Sequence, residues 1–187
     1  MELKKWNILE SETAFENRWW KIVQETVELP DGSVTGDYFV NHHPGGVIVF
    51  ALTEEGKVVV NRQYKHGARE VVEELTIGRL DETDTSPIEA AKRELEEETG
   101  YGGGTWEPLG VFLSNPTSST SRLHAFLARG VRKVAGQDGD PREIVEVSEI
   151  ALPEFVARVR DGRFSTSAAV AASFLALERL GKLELKP

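Results

Sequence analysis

The sequence predicts an α/β (α+β) fold: a mixed sheet with helices packed on it, preceded by a small N-terminal antiparallel β lobe. Three observations carry this prediction. Short apolar, β-branched runs recur at strand length, as in Val47–Leu52 and Lys57–Gln63. One helix, over residues 86–100, is marked by start and stop signals at both ends. A longer helical pattern, Ser165–Leu180, follows a shorter one at Pro153–Arg160. Strands that bury apolar faces against such helices form a layered architecture.

Taken in order, residues 3–42 look like short strands, with Trp19–Val23 and Tyr38–Val40 on either side of the turn signal Pro30-Asp31-Gly32. His42-His43-Pro44-Gly45-Gly46 breaks the chain, so the domain boundary falls between an N-terminal β lobe, 1–43, and a main domain, 44–187. Two adjacent histidines attract metal only with a third ligand, and this loop offers none nearby. Val47–Leu52 is a buried strand, Glu54-Glu55-Gly56-Lys57 a hairpin turn, and Lys57–Gln63 the return strand. Further strands are expected at Glu70–Leu75, Trp106–Leu113, Arg122–Leu127 and Ile144–Ile150. In the last helix Val170, Phe174, Leu175 and Leu177 are the expected buried face.

Composition bounds the function. The chain has 187 residues, 40% hydrophobic and 28% charged, a balance that supports a buried core without covalent staples. With no cysteine, disulfides and thiolate zinc sites are excluded. No apolar run follows Met1–Trp6, so a secretory signal is not expected, and no stretch approaches a membrane span; a cytoplasmic location is the default expectation. The formal net charge of -9 disfavours nucleic-acid binding.

Acid is densest between Glu94 and Glu98. Ser86 is the predicted N-cap of that helix, Pro87 its first residue, Glu89 the partner of a capping box and Gly100 the stop. Residues three and four apart share a helix face, so Glu94, Glu97 and Glu98 point together, while Ile88, Ala91 and Leu95 form the apolar stripe. Each close like-charged pair costs about 0.2–0.5 kcal/mol in water, which a hard divalent cation would offset. Mg2+, or Mn2+, takes carboxylate oxygens and is shared with substrate phosphates. Arg93, four residues before Glu97, is placed to orient it. A solvated acidic face is the plain alternative.

The wider segment decides between these. Gly78–Tyr101 resembles the Nudix box, G-x5-E-x7-R-E-U-x-E-E-x-G-U with U a bulky apolar residue, and Arg93-Glu94-Leu95-Glu96-Glu97-Glu98-Thr99-Gly100 fits every fixed position of its second half. The first half departs: counted back from Arg93, the glutamate falls on Thr85 and the glycine on Arg79, whereas counted forward from Gly78 the five intervening residues lead to Asp84. One inserted residue, with Asp84 in place of the glutamate, accounts for both. Glu74-Leu75-Thr76-Ile77-Gly78 resembles the E-L-P-A-G approach of ADP-ribose pyrophosphatase-type members, and Arg62-Gln63-Tyr64-Lys65 resembles their R-Q-Y-R strand end. Pro116 and the segment from Asp161-Gly162-Arg163-Phe164 are similar to them too, so that the likeness spans roughly residues 15–180.

The resemblance implies a Nudix-type α/β/α sandwich and metal-dependent hydrolysis of a nucleoside diphosphate sugar, ADP-ribose to AMP and ribose 5-phosphate before others. Another nucleotide sugar, such as GDP-mannose, or a sensor domain that binds a nucleotide metabolite without cutting it, is the alternative. Glu94, Glu97, Glu98 and the Ile77 carbonyl become metal ligands by resemblance, with Arg93 and Glu97 in catalysis. Arg62, Lys65, Glu74 and Pro116 become substrate contacts, although Glu74 equally suits a salt bridge and Lys65 a plain surface charge. Trp19, Trp20 or Tyr38 is available to stack on adenine. A further acid is expected from the loop Ala135–Glu143 or just after it, Glu143 first, then Glu146, with Asp140 also a candidate. A homodimer paired through the N-terminal strands is expected by analogy.

Overall fold

The computed structural model describes residues 3–138 and 144–183 and divides into two units, 1–45 with 113–122 and 46–112 with 123–187. The first unit contains an antiparallel meander of β1 (Asn7–Glu16), β2 (Lys21–Glu28) and β3 (Val34–Asn41). The β1–β2 turn is closed by Asn17, whose Oδ1 accepts from the amides of Trp19 and Trp20 at 2.8 Å each. Those tryptophans therefore lie in the turn, and the strand predicted from Trp19 starts at Lys21. The predicted turn after Pro30 is present, with Gly32 at φ +85°.

The second unit is built on an eight-stranded mixed sheet. Its strands are β4 (Gly46–Thr53), β5 (Lys57–Lys65), β6 (Glu70–Glu74), β7 (Thr76–Arg79), β8 (Tyr101–Gly102), β9 (Thr105–Leu113), β10 (Arg122–Lys133) and β11 (Val145–Ala151). The central path runs β11-β5-β4-β10-β8, with β6 on β5, β7 on β4 and β9 on β10. β10 runs parallel to β4, whereas β5 and β7 run antiparallel to it.

Helices cover both faces, and strand alternation explains which residues they meet. Val47, Val49 and Ala51 of β4 face Ala90, Ala91 and Leu95 of α1 (Pro87–Thr99). Ile48, Phe50 and Leu52 face the opposite layer, where α2 (Leu152–Arg160) brings Phe155 and α3 (Ser167–Arg179) brings Ala169, Ala172 and Ala176. Because β4 is covered twice, all eight of its residues are buried. Among the described residues no helix is long and apolar enough to cross a membrane.

Two local expectations are corrected. Ser86 is the N-cap of α1 but makes no side-chain cap, and Glu89 pairs with Lys92 at 2.8 Å instead of closing a capping box. On α3 the buried face is Ala169, Ala172, Ser173, Ala176 and Leu177, while Val170 and Phe174 are 42% and 48% exposed. Alanines allow close approach to the sheet, so the small-residue stripe packs and the bulky one is left outside.

Candidate active site

The carboxylates of α1 meet the sheet where β7 and β5 offer little bulk. Gly78 pairs with Val47 and so faces α1, and a Cβ on Gly78 would overlap the Glu94 carboxylate. The glycine therefore sets how closely Glu94 lies on the strand. Burial pushes the Glu94 carboxyl above its ordinary value, with Arg93 opposing the shift. The box glycine at Gly100 ends the helix in the left-handed region at φ +70°, its amide donating to Glu96 O.

Arg93 is the hub. Its Nε and Nη2 make a bidentate pair with Asp84 at 3.0 and 2.9 Å, Nη1 donates to both Glu94 and Glu97 at 2.9 Å, and Nη2 also reaches Arg79 O at 3.2 Å. The fork draws the Asp84 carboxyl below its ordinary value. Asp84 lies in a turn that opens at Asp81, its amide donating to Asp81 O at 3.1 Å. There Asp81 Oδ1 accepts from the Thr83 amide and hydroxyl at 2.9 Å, and Asp84 Oδ2 accepts from the Asp81 amide at 2.8 Å. The shorter aspartate thus reaches Arg93 from a tight turn.

Glu98 is held differently. It is 9% exposed and accepts a 2.8 Å hydrogen bond from Asn61 Nδ2, which also lies 3.4 Å from Thr76 Oγ1. Asn61 is fully buried on β5, and its Oδ1, with Asn41 Oδ1, is left without a partner among the buried side-chain atoms described. At the end of α1, Gln137 Nε2 donates to the main-chain oxygens of Glu98 and Val145, at 2.7 and 3.1 Å, and the Asp138 amide donates to Glu97 O at 3.0 Å. Gln137 thus links the end of α1 to the start of β11. Asp140 and Glu143 lie outside the described residues.

Of the other predicted site residues, some converge and some part. Glu74, opposite Asn61, accepts from Gln63 and pairs with Lys65, both at 2.8 Å. Asn61, Gln63 and Lys65 share the α1 side of β5 by alternation with Val59. Arg62 points to the opposite side and pairs at 2.8 Å with Glu146, its cross-strand neighbour on β11. Arg62 and Glu146 therefore do not join the α1 carboxylates. Ile77 pairs with Ile48 and packs its side chain on the opposite core.

The first unit holds the remaining candidates. Tyr38 donates to Thr117 O at 2.7 Å and stacks edge-on with Trp6, and Arg18 lies over the Trp19 ring at 4.3 Å. Trp20, Phe39, Asn41 and Ser118 line a cavity of about 470 Å³. Pro116 falls in the 113–122 segment of this unit. His42 lies 3.8 Å from Glu25, while His43 Nδ1 accepts from the Gly45 amide at 3.0 Å, so the two rings serve separate contacts.

Among the described residues no group of three His, Asp or Glu side chains is disposed to hold a metal ion as it stands. Arg93 Nη1 lies between Glu94 Oε1 and Glu97 Oε2, 2.9 Å from each. The donor chemistry nonetheless fits a hard cation, since the helix supplies carboxylate oxygens and Asn61 Oδ1 is a buried acceptor lacking a donor. Asn61 and Gln137 escaped the sequence reading. Asn61 had a signal, an amide directly after Val58-Val59-Val60 in a buried strand, whereas Gln137 had none beyond its place in a polar loop.

Comparison with known proteins adds to this geometry. Residues 42–169 match the NUDIX domain and residues 6–41 the nucleoside diphosphate sugar hydrolase N-terminal domain. The chain is 33% identical to a methanol dehydrogenase activator of Bacillus methanolicus, over 91% of this chain and 92% of that one. It is 31% identical to an ADP-ribose pyrophosphatase of Bacillus subtilis (strain 168), covering 89% and 90% of the two chains. A GDP-mannose pyrophosphatase of Pectobacterium atrosepticum is 32% identical over 64% of this chain and 65% of its own. The fold is shared with a solved structure described as an ADP compounds hydrolase, at a TM-score of 0.83 and 22% identity over 98% of this chain and 100% of that one.

Proposed function

The chain belongs to the Nudix family, and from that premise we propose that it hydrolyses the diphosphate of a nucleoside diphosphate sugar, ADP-ribose before others, to AMP and ribose 5-phosphate. The observation that carries this is the set Glu94, Glu97 and Glu98, gathered with Arg93 on one helix flank against Gly78 and Asn61. The substrate class is supported by the match of residues 6–41 and by relatives named for ADP-ribose and GDP-mannose.

In this reading Glu94, Glu97 and Glu98, with the Ile77 carbonyl, hold Mg2+ or Mn2+. When bound, a cation of this kind neutralises diphosphate charge and lowers the pKa of a coordinated water. Arg93 keeps the carboxylates ordered before loading and orients Glu97, the most exposed of the three at 42%, to take a proton from the attacking water. Glu143 is the loop acid of this proposal. Glu146 serves a cross-strand pair with Arg62, and that pair opens if either side chain joins the reaction. Lys65, steered by Glu74, binds substrate phosphate, with Pro116 a further substrate contact. Trp20, beside its cavity, is the base-stacking aromatic.

The N-terminal lobe, 1–43, is the surface that pairs two copies into a homodimer, the Nudix domain proper being 44–187. Support comes from β1, exposed along all ten residues and carrying Ile8, Leu9 and Phe15 at 52–60% exposure. A cytoplasmic location belongs to the same proposal. The test is a panel of ADP-ribose, GDP-mannose, other nucleotide sugars and nucleoside triphosphates with Mg2+, scored for phosphate-monoester products. ADP-ribose should rank first. A clear preference for a triphosphate overturns the substrate class, and tight binding without turnover of any member favours a sensor.

A further inference from the structure

Asn61 has no place in the box, yet its environment is unusual. A fully buried side-chain amide on a central strand normally satisfies both ends. Here the Nδ2 end is committed, 2.8 Å from Glu98 Oε2 and 3.4 Å from Thr76 Oγ1, while the Oδ1 end has no partner. An orphaned buried carbonyl is destabilising, so a well-packed strand would shed it unless the oxygen had a use.

The contrast with the neighbouring glutamates suggests the use. Glu94 and Glu97 each give one carboxylate oxygen to the cationic Arg93. The donor that Asn61 gives to Glu98 is an amide, which orients the carboxylate from the buried strand. Position agrees: Asn61 lies on the α1 side of β5, directly opposite Glu74, and Thr76 follows on the same face.

We infer that Asn61 is a positioning residue for the cation site, locking Glu98 through Nδ2 and presenting Oδ1 as an acceptor for a water of the bound cation. The inference rests on the proposed role of Glu98 as a ligand. Outer partners of metal ligands are worth about 10–100-fold in affinity when removed.

The experiment is a double-mutant cycle on Mn2+ affinity, measured by electron paramagnetic resonance without substrate, on the full chain. The variants are Asn61→Leu, Glu98→Gln and both together, each checked by thermal melting. Asn61→Ala is added as a smaller, neutral change that also removes the donor to Glu98. The inference predicts that Asn61→Leu weakens Mn2+ about 10–100-fold in the wild-type background and by a clearly smaller factor in Glu98→Gln, where only the Oδ1 contact is left to lose. Asn61→Ala, if Asn61→Leu does not fold, should likewise lose more affinity while Glu98 is present than in Glu98→Gln. If wild type binds, Glu98→Gln weakens binding, and the Asn61 variants bind as wild type or show equal losses in both backgrounds, the inference alone is overturned. If Glu98→Gln leaves Mn2+ affinity unchanged, the ligand role of Glu98 fails and the inference goes with it.

Discussion

Arg93→Met tests whether the guanidinium is the structural hub of the site. The change preserves much of the aliphatic stem and removes every bond of the fork. It leaves Asp84, 6% exposed, and Glu94, 14% exposed, without their cation, while Glu97 at 42% turns to water. Stranding one partner of a fully buried ion pair costs about 3–5 kcal/mol. Arg93 is itself 30% exposed, so solvent screens part of this and about 2–4 kcal/mol is expected. For a chain of this length that lowers Tm by about 5–15 °C. Arg93→Lys should recover only part of the loss, since an ammonium cannot reproduce the bidentate grip on Asp84. The sign with pH is fixed by Asp84, whose folded pKa is drawn below the ordinary 3.8 by the Arg93 hydrogen bonds. A depressed carboxyl contributes stability that is present above the unfolded value and is lost as pH falls through the folded one. The gap between wild type and Arg93→Met, followed by circular dichroism melts, should therefore be widest near neutrality and narrow through and below 3.8. A variant that melts within 1 °C of wild type, or a gap that does not change with acid, refutes the hub.

Further outcomes follow from the same contacts. Gly78→Ala should lower kcat by about 10-fold or more while shifting Tm little, because the new Cβ meets the Glu94 side chain rather than the backbone; steady-state kinetics beside a melt decide it. Glu94→Gln and Glu98→Gln should each lower kcat by about 100-fold or more with the fold retained, as read by kinetics and far-ultraviolet circular dichroism. A ligand must be deprotonated to bind metal, and burial raises the Glu94 carboxyl, so apparent Mn2+ affinity should begin to fall above the ordinary glutamate range as pH is lowered; titrations between pH 7.5 and pH 5, an interval of about 2.5 units, follow it.

The sequence made some of this legible and hid the rest for physical reasons. α1 was readable end to end because Pro87 and Gly100 mark its limits and Leu95 its packed side. β1 carries no burial alternation, all ten residues being exposed, so no pattern announced it. β7 is four residues long and contains a glycine, and its pairing with β4 is nonlocal. The buried face of α3 was misassigned because alanines pack closest while hydropathy favours Val170 and Phe174. At the site, Asp84 could be picked out by counting forward from Gly78, although the count back from Arg93 lands on Thr85. The separation of Arg62 from Lys65 could have been read as strand parity, since residues three apart on a strand face opposite ways.

The central claim is that the α1 carboxylates act through a divalent cation to cut a diphosphate. The most direct measurement is ADP-ribose hydrolysis by the metal-stripped chain, with AMP and ribose 5-phosphate quantified as Mg2+ is added and then removed with excess chelator. The account predicts no turnover without the cation, equal amounts of the two products with it, and loss of activity on chelation. Undiminished hydrolysis in excess chelator would contradict it.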